Sequence, residues 1–380
     1  MTKRNVAGNQ VRGLNRRSLI QSTAALLSVP FVATATSAGA QEKLAGSGEV
    51  VVFSYGGSFT DGVRRAVYEP FTKATGIKVV DVVADFCEPQ LKAMYSAGRM
   101  DWDVAFPDAR NYPELRETGM FEPIDYSLWD QESLDGTPAD ARLKDAFVAG
   151  QTTIVIISDE RVFKGKGPKN WVEFWDVKNF PGHRGLAGTV QGQQNILAAL
   201  VADGVSPKDI WPMTDDKLDR AFKKLSELKP QISKWWTAGG EPVQLLLNNE
   251  YAMSSTYNNR AVQAIQKGAP IKMSYDNCYH TRTFGTLMKG GPNISNGQKF
   301  VAFLNRAPIA AAWTQGTGWP GSNVNQLKYL PADLAELSSV NPQNFSKVIV
   351  EDSDWLAAKR PDEKTNLAHV QERWLAWRAQ

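Results

Sequence analysis

The sequence predicts an α/β fold with a largely parallel sheet, and three observations carry that expectation. From Glu49 onward, short apolar runs alternate with amphipathic stretches, the pattern of strands joined by helices. A second series of such runs opens at Thr152, after a polar loop at 131–145. A chain of 380 residues is also long enough for two domains with separate cores.

The elements follow in order. Val50-Val51-Val52-Phe53 reads as a strand, and Gly56-Gly57-Ser58 turns it into a helix with Val63, Ala66, Val67 and Phe71 on one stripe, ended by Gly76. A strand at 77–83, a helix at 88–97 and a strand Val104-Ala105-Phe106 reaching a turn at Pro107-Asp108 complete the first series. The run Thr152-Thr153-Ile154-Val155-Ile156-Ile157 is the candidate first crossover between domains. A helix at 217–229 aligns Leu218, Ala221, Phe222, Leu225 and Leu228 with the 3.6-residue period of a packed surface helix. A strand at 251–256 follows, and a C-terminal helix at 364–378 puts Leu367, Val370, Trp374 and Trp377 on a stripe expected to dock on its own domain.

The first forty residues read as an export signal and are set aside from the fold. Arg16-Arg17 precede a moderately apolar run at 24–33, and Ala38-Gly39-Ala40 supplies a cleavage site, the pattern of a twin-arginine signal peptide over 1–40. An ordinary secretory signal is the alternative; the run is too short and too rich in Ala, Ser and Thr to span a bilayer. This segment holds Lys3, Arg4, Arg12, Arg16 and Arg17 and no acid, so its removal takes the formal charge from +3 to −2. The basic character belongs to the signal, and the mature chain offers no electrostatic footprint for nucleic acid and no expectation of membrane insertion. Cys87 and Cys278 form an even pair in a compartment that permits disulfides, and a bridge and two buried thiols both remain open.

No catalytic or metal-ligating constellation emerges. His183, His280 and His369 lie far apart without the i, i+4 spacing of a helical zinc pair, and no Gly-x-Ser-x-Gly elbow occurs. Lys164-Gly165-Lys166-Gly167-Pro168-Lys169 lacks the spacing of a phosphate-binding loop. Acid pairs such as Asp215/Asp216 and Glu351/Asp352 sit at element junctions, where capping is the expected role. The expectation is therefore a binding protein without cofactor or metal rather than an enzyme. Twelve tryptophans, several beside turns (Trp235-Trp236, Trp319, Trp355), suit packing and stacking on a bound solute.

The mature chain resembles the extracellular solute-binding proteins that serve spermidine/putrescine-type ABC importers. The matching stretches are Ser54-Tyr55-Gly56-Gly57-Ser58-Phe59, Phe71-Thr72-Lys73-Ala74-Thr75-Gly76-Ile77-Lys78-Val79, Trp171-Val172-Glu173-Phe174-Trp175-Asp176 with Phe180-Pro181-Gly182, Lys289-Gly290-Gly291-Pro292-Asn293, Gly318-Trp319-Pro320-Gly321-Ser322-Asn323 and Glu372-Arg373-Trp374-Leu375-Ala376-Trp377. The resemblance implies a two-lobed periplasmic binding protein of the type II, Venus-flytrap class, with crossover hinge strands and an interlobe ligand cleft. It places lobe 1 at 44–150 and 259–313 and lobe 2 at 151–258 and 314–380. It implies a monomeric periplasmic receptor that closes on a small solute and delivers it to inner-membrane permease subunits. Because solutes lie outside the carboxyl ends of strands, the candidate ligand-binding residues are Tyr55, Gly56, Gly57, Ser58, Cys87, Glu88, Asp108, Tyr257 and Arg260, with Trp319.

Polyamine binders of this family set rings along the methylene chain and carboxylates at the ammonium groups. Carried over by position, the rings fall on Tyr55 and Tyr257, but the acids become Arg260, Thr283, Gln193 and Gln194. An ammonium facing Arg260 meets repulsion, whereas Arg260 with Arg282 suits a carboxylate, helped by amides of the Gly56-Gly57-Ser58 turn. Asp85, Glu88 or Asp108 remains for an ammonium, so a zwitterion such as an ω-amino acid or an opine-like conjugate is expected over a free polyamine. The competing readings are a true spermidine/putrescine binder and a metal-independent periplasmic enzyme. For Arg260 the structural alternative is a salt bridge to an interlobe acid; for Gln193 and Gln194 it is a polar helix start.

Overall fold

Val50, Val51, Val52 and Phe53 form an unbroken apolar run, the pattern of a strand covered on both faces. In the computed structural model, which describes residues 43–380, they lie in β1 (Glu49–Ser54), buried from Val50 to Ser54. The export signal over 1–40 lies outside the described residues. Parallel to β1 run β2 (Lys78–Val83) and β3 (Val104–Ala105). Helical segments Gly57–Val63, Arg64–Tyr68 and Glu69–Thr75 follow β1 without a break, the middle one wound as a π-helix. Val63, Val67 and Phe71 are buried, and Gly76 ends the run at φ 81.

After β4 (Phe121–Glu122) come the elements that join the molecule: β5 (Ala146–Asp159), β6 (Arg184–Ala187), β7 (Ile232–Trp236), β8 (Met253–Tyr257), β9 (Ile271–Met288) and β10 (Ile349–Val350). The ten strands form one sheet in the order β2-β1-β3-β9-β5-β8-β6-β7, with β4 and β10 also on β9. The runs β2-β1-β3 and β7-β6-β8 are parallel, as expected, but β5 and β9 bring antiparallel pairs into both lobes, β8 on β5 and β3 and β4 on β9. β5 and β9 are antiparallel along nearly their whole length, because a chain that crosses between lobes must return.

Two cores sit on either side of this crossing. One gathers Phe53, Phe71, Leu91, Phe147, Phe284, Phe300 and Trp313; the other gathers Ile154, Phe174, Leu197, Phe222, Tyr279 and Trp374. A smaller cluster of Val155, Ile157, Leu246, Tyr251 and Ala261 lies across the sheet from Ile154 and Ile156, as strand alternation requires. The expected return to the first lobe at 259 is not where the packing changes. Ala261 packs with Val155 and Leu246, and the switch of core falls within β9, between Tyr279 and Phe284. The segment Val324–Tyr329 stays with the first lobe's helix Ala307–Thr317, where Thr314 Oγ1 and Gln326 Oε1 are 2.5 Å apart.

The helix expected at 217–229 is Asp215–Leu228, with all five stripe residues buried. Val370, Trp374 and Trp377 of the helix Asn366–Arg378 dock on the second core. Cys87 and Cys278 are both free and buried, one in each core, so no disulfide joins them. No described helix is long and apolar enough to cross a membrane.

The helical run after Tyr55 is held against Ala307–Thr317 by a glycine contact, since a Cβ on Gly62 would lie 2.3 Å from the carbonyl oxygen of Gly316. Gly62→Ala is expected to lower the unfolding free energy by about 1–3 kcal/mol through overpacking. Gly240→Ala, with nothing within 4 Å of the added carbon, is expected to stay within about 0.5 kcal/mol. Denaturant midpoints at unchanged slope check both.

Candidate functional site

The sheet topology brings strand ends together at the crossing. β5 occupies one edge of β9 along its length, so β3 and β10 share the other edge. β3 runs antiparallel to β9 and β10 parallel to it, so their carboxyl ends approach each other. Asp108 bridges Thr283, and the Glu351 N–H donates to the His280 carbonyl. The carboxyl ends of β1 at Tyr55 and of β8 at Tyr257 belong to the same region, where solutes bind in open α/β sheets. Beside Glu351 a cleft of about 440 Å³ opens between the lobes, lined by Tyr112, Arg116, Asp140 and Arg282 on one side and by Trp211 and Glu351 on the other; of the sequence-predicted site residues it takes in Arg282, while Tyr55, Tyr257, Arg260 and Trp319 lie outside its lining.

Of the acids expected to await an ammonium, Glu88 and Asp108 are already engaged, whereas Asp85 is exposed and makes no ion pair among the described residues. Glu88 is buried and its Oε1 accepts from the Asp108 N–H at 2.9 Å and from Asn111 Nδ2 at 3.2 Å. Asp108 accepts from Arg110 Nε at 2.7 Å and Nη2 at 2.6 Å, and from the Arg110 N–H at 3.0 Å. Burial alone would lower the pKa of the Arg110 guanidinium, but Asp108 outweighs it and the group is held firmly charged. Glu351, expected only as a capping acid, is less well satisfied: its side chain is 1 % exposed, Oε1 accepts from Thr281 Oγ1 at 3.3 Å and Ser353 Oγ at 3.2 Å, and Oε2 has no hydrogen bond. The nearest cation to Oε2 is Arg110 Nε at 4.0 Å. Burial pushes the Glu351 carboxyl up to about 8, with Arg110 opposing and Asp108 adding.

Aromatic rings frame these charges. Tyr55 donates its hydroxyl to the Phe106 carbonyl at 2.8 Å and packs against Phe53, Phe59 and Trp319 at centroid distances of 4.8, 5.2 and 5.4 Å. Burial first, then Cys87, Glu88 and Asp108, raises its pKa well above the usual value, so it remains a neutral donor. Tyr257 lies 5.7 Å from Trp236, and its hydroxyl is raised by burial while feeling Arg110, Asp108 and Arg260. Arg260 is exposed on the first turn of the helix Asn258–Gln266 and makes no ion pair among the described residues, so the salt-bridge alternative is not seen. Arg282 pairs with Asp140 at 2.8 Å, leaving its Nε buried without a partner.

Several expected groups stand differently. The Gly56 N–H donates to Thr60 Oγ1 at 2.9 Å and is not free for a solute, although Gly57 and Ser58 are exposed. Cys87 is buried, and burial pushes its thiol up, so it stands as an inert core residue. Gln193 and Gln194 are buried at the start of the helix Gln193–Ala202, and the Gln193 amide finds no partner. No hydrogen bond joins either glutamine to the charged cluster.

Sequence reasoning missed Arg110, and took Glu351 with Asp352 as a capping pair. Only Asp352 caps, accepting from the Trp355 N–H at 2.9 Å. Asp108-Ala109-Arg110 carries a weak local signal, opposite charges two apart beside a turn; nothing local marks Glu351. No group of three or more His, Cys, Asp or Glu that could hold a metal occurs among the described residues.

A family model described as bacterial extracellular solute-binding protein matches residues 66–328. A gamma-aminobutyric acid-binding protein of Pseudomonas aeruginosa is 27 % identical over 350 residues, covering 90 % of this chain and 94 % of its own. A solved ABC transporter protein of Rhodopseudomonas palustris is 31 % identical, with TM-score 0.70 over 87 % of this chain and 99 % of its own. A solved GABA receptor is 26 % identical, with TM-score 0.75 over 87 % of this chain and 98 % of its own.

The Asp108–Arg110 pair carries a stability prediction. Asp108→Asn strands a largely buried guanidinium and is expected to cost roughly 2–3 kcal/mol, the buried-pair figure discounted for the exposed side of Asp108. Arg110→Met in the same chain should recover most of the loss. A double-mutant cycle by denaturant unfolding reads the coupling, and independent, additive losses would contradict it.

Proposed function

The chain belongs to the bacterial extracellular solute-binding protein family, and on that premise we propose that it is the periplasmic receptor of an ABC importer, selecting a solute that bears both a carboxylate and an amine. The observation that carries this reading is the charge balance of the cleft. Glu88 and Asp108 are engaged, whereas Arg260 faces Tyr257 with no acid partner among the described residues. A guanidinium without a counter-ion beside aromatic rings suits a carboxylate, which it holds bidentately. The relatives that bind gamma-aminobutyrate support an ω-amino acid, and the polyamine reading takes second place.

The mechanism follows from the hinge. Residues 44–149 with 284–313 form one lobe and 154–279 with 349–377 the other, each rotating about β5 and β9. Solute contacts with Tyr55 and Trp319 on one lobe and with Tyr257 and Arg260 on the other are complete only when the lobes meet. Binding energy therefore shifts the population toward the closed form that the permease reads. The receptor acts as a monomer, needs no cofactor and performs no chemistry; the signal at 1–40 directs it to the periplasm by the twin-arginine route.

A thermal-shift panel tests the assignment. At a hundredfold excess over Kd, 4-aminobutanoate or a related zwitterion should stabilise the protein by about 2.7 kcal/mol, with unchanged solute recovered by mass spectrometry. Putrescine and spermidine should shift melting less, and Arg260→Asp should reverse that ranking. Strong polyamine stabilisation of the unmodified protein would contradict the zwitterion selectivity, and a chemically altered solute would contradict the receptor role.

A further inference from the structure

A buried acid at the floor of the cleft faces a cation on the opposite lobe without quite reaching it. Glu351 follows β10 in the second lobe, and its Oε2 has no hydrogen bond. Arg110 follows β3 in the first, its side chain 15 % exposed and engaged with Asp108. Arg110 Nε stands 4.0 Å from Glu351 Oε2, about 1 Å longer than a charge-assisted hydrogen bond. The two chain segments are charge-complementary beyond this point, since Arg116 and Asp354, farther along each, already pair across the lobes at 3.1 Å.

Resting on the receptor reading above, we propose that Arg110 and Glu351 form a latch between the lobes: closure brings the guanidinium onto the Glu351 carboxylate, and this contact favours the solute-bound state. Both are positioning residues, acting on the lobes rather than on the solute. The unpartnered oxygen explains the direction. An ionised buried carboxylate lacking a donor is costly, and closure brings a further N–H of the Arg110 guanidinium to it, since the Nε–H is already donated to Asp108 at 2.7 Å.

The latch makes closure sensitive to pH. Around Glu351 stand Arg110 and Asp108 from the loop after β3, the hydroxyls of Thr281 and Ser353, and Asp352 beside it. Tyr257 and Arg260 lie beyond Arg110, and the pairs Arg282–Asp140 and Arg116–Asp354 line the same cleft. With the carboxyl pushed up to about 8, chiefly by burial, the unlatched protein holds a proton there near neutrality. Pairing with Arg110 favours the ionised form, so closure expels that proton, and solute affinity rises with pH until the unlatched carboxyl is itself ionised.

Glu351→Gln keeps the shape and the hydroxyl contacts while removing the charge. Calorimetry with 4-aminobutanoate, in buffers of differing ionisation enthalpy, should show the unmodified protein releasing a proton as it binds. Its affinity should climb by up to about tenfold per pH unit between about pH 6 and about pH 8. Glu351→Gln should bind with a flat profile and release none. Without solute, X-ray scattering should show the unmodified protein contracting over the same range and Glu351→Gln unchanged. A variant that keeps the pH profile and the proton release, or an unmodified protein that shows neither, overturns the latch. Should 4-aminobutanoate fail to bind at all, the solute assignment falls; the scattering then decides the latch alone, and the absence of a pH-dependent contraction overturns it.

Discussion

The pairing of β5 with β9 is the constraint from which the rest of the architecture follows. The two strands bond to each other on both sides of the crossing, from Ala146 with Thr286 to Asp159 with Ile271, so the lobes are tied at a fixed register. Register shifts between Val148 and Gly150 and between Ile154 and Ile156 bracket the stretch that passes between the cores. Bulges of this type bend a strand and raise its local twist, concentrating flexibility where two rigid cores meet. Because β5 covers one edge of β9, β3 and β10 must share the other, and Asp108 and Glu351 meet there as a consequence of topology. The site is thus built by the hinge that moves it.

Within that frame, charge and aromatic surface have separate roles. Tyr55, Phe59, Trp319 and Tyr257 pack with neighbouring rings, and surfaces of this kind contact many solutes with little preference. Preference comes from which charges remain available. Glu88 anchors the Asp108 backbone amide and Asp108 anchors Arg110, so these two acids support the framework, while Arg260 is left without an ion pair among the described residues. Arg260 is exposed, so what an ammonium meets beside it is like-charge repulsion rather than a desolvation cost. An exchange of a few side chains therefore changes the accepted solute while the rings stay in place.

Much of the fold was legible because each lobe obeys local rules. The Val50–Phe53 run, the Val63/Val67/Phe71 stripe, the Gly76 stop and the C-terminal tryptophan stripe are short-range signals, and each became the element expected. β9 was not legible. Its crossing stretch carries Asp276, Asn277 at φ 55, His280, Thr281, Arg282 and Thr283, which reads as a loop. These residues are polar because one end of a hinge strand faces a cleft rather than a core, and His280 is satisfied by Thr153 and Gln151 from the partner strand. The boundary at 259 came from resemblance, whereas the core changes inside β9, between Tyr279 and Phe284. Tyr55 and Tyr257 were found through resemblance, whereas Arg110 and Glu351 lie far apart in sequence and become neighbours only once β3 and β10 are seated on β9.

The same topology explains why a poorly satisfied carboxylate persists at the floor of the cleft. Ordinary core packing would remove Glu351, since an apolar residue of similar size fills a buried position at lower cost. Its backbone cannot be moved aside, because the Glu351 N–H closes the pairing of β10 with β9 through the His280 carbonyl. Its partner cannot be supplied from its own lobe either: Thr281 and Ser353 saturate one oxygen, and the other faces across the cleft toward Arg110. A carboxyl whose cationic neighbour lies on the other side of a hinge keeps its proton in one arrangement of the lobes and ionises in the other. Stability lost in the unlatched state is then binding energy gained on closure, a reason for such a group to be retained at this place and not elsewhere in the core.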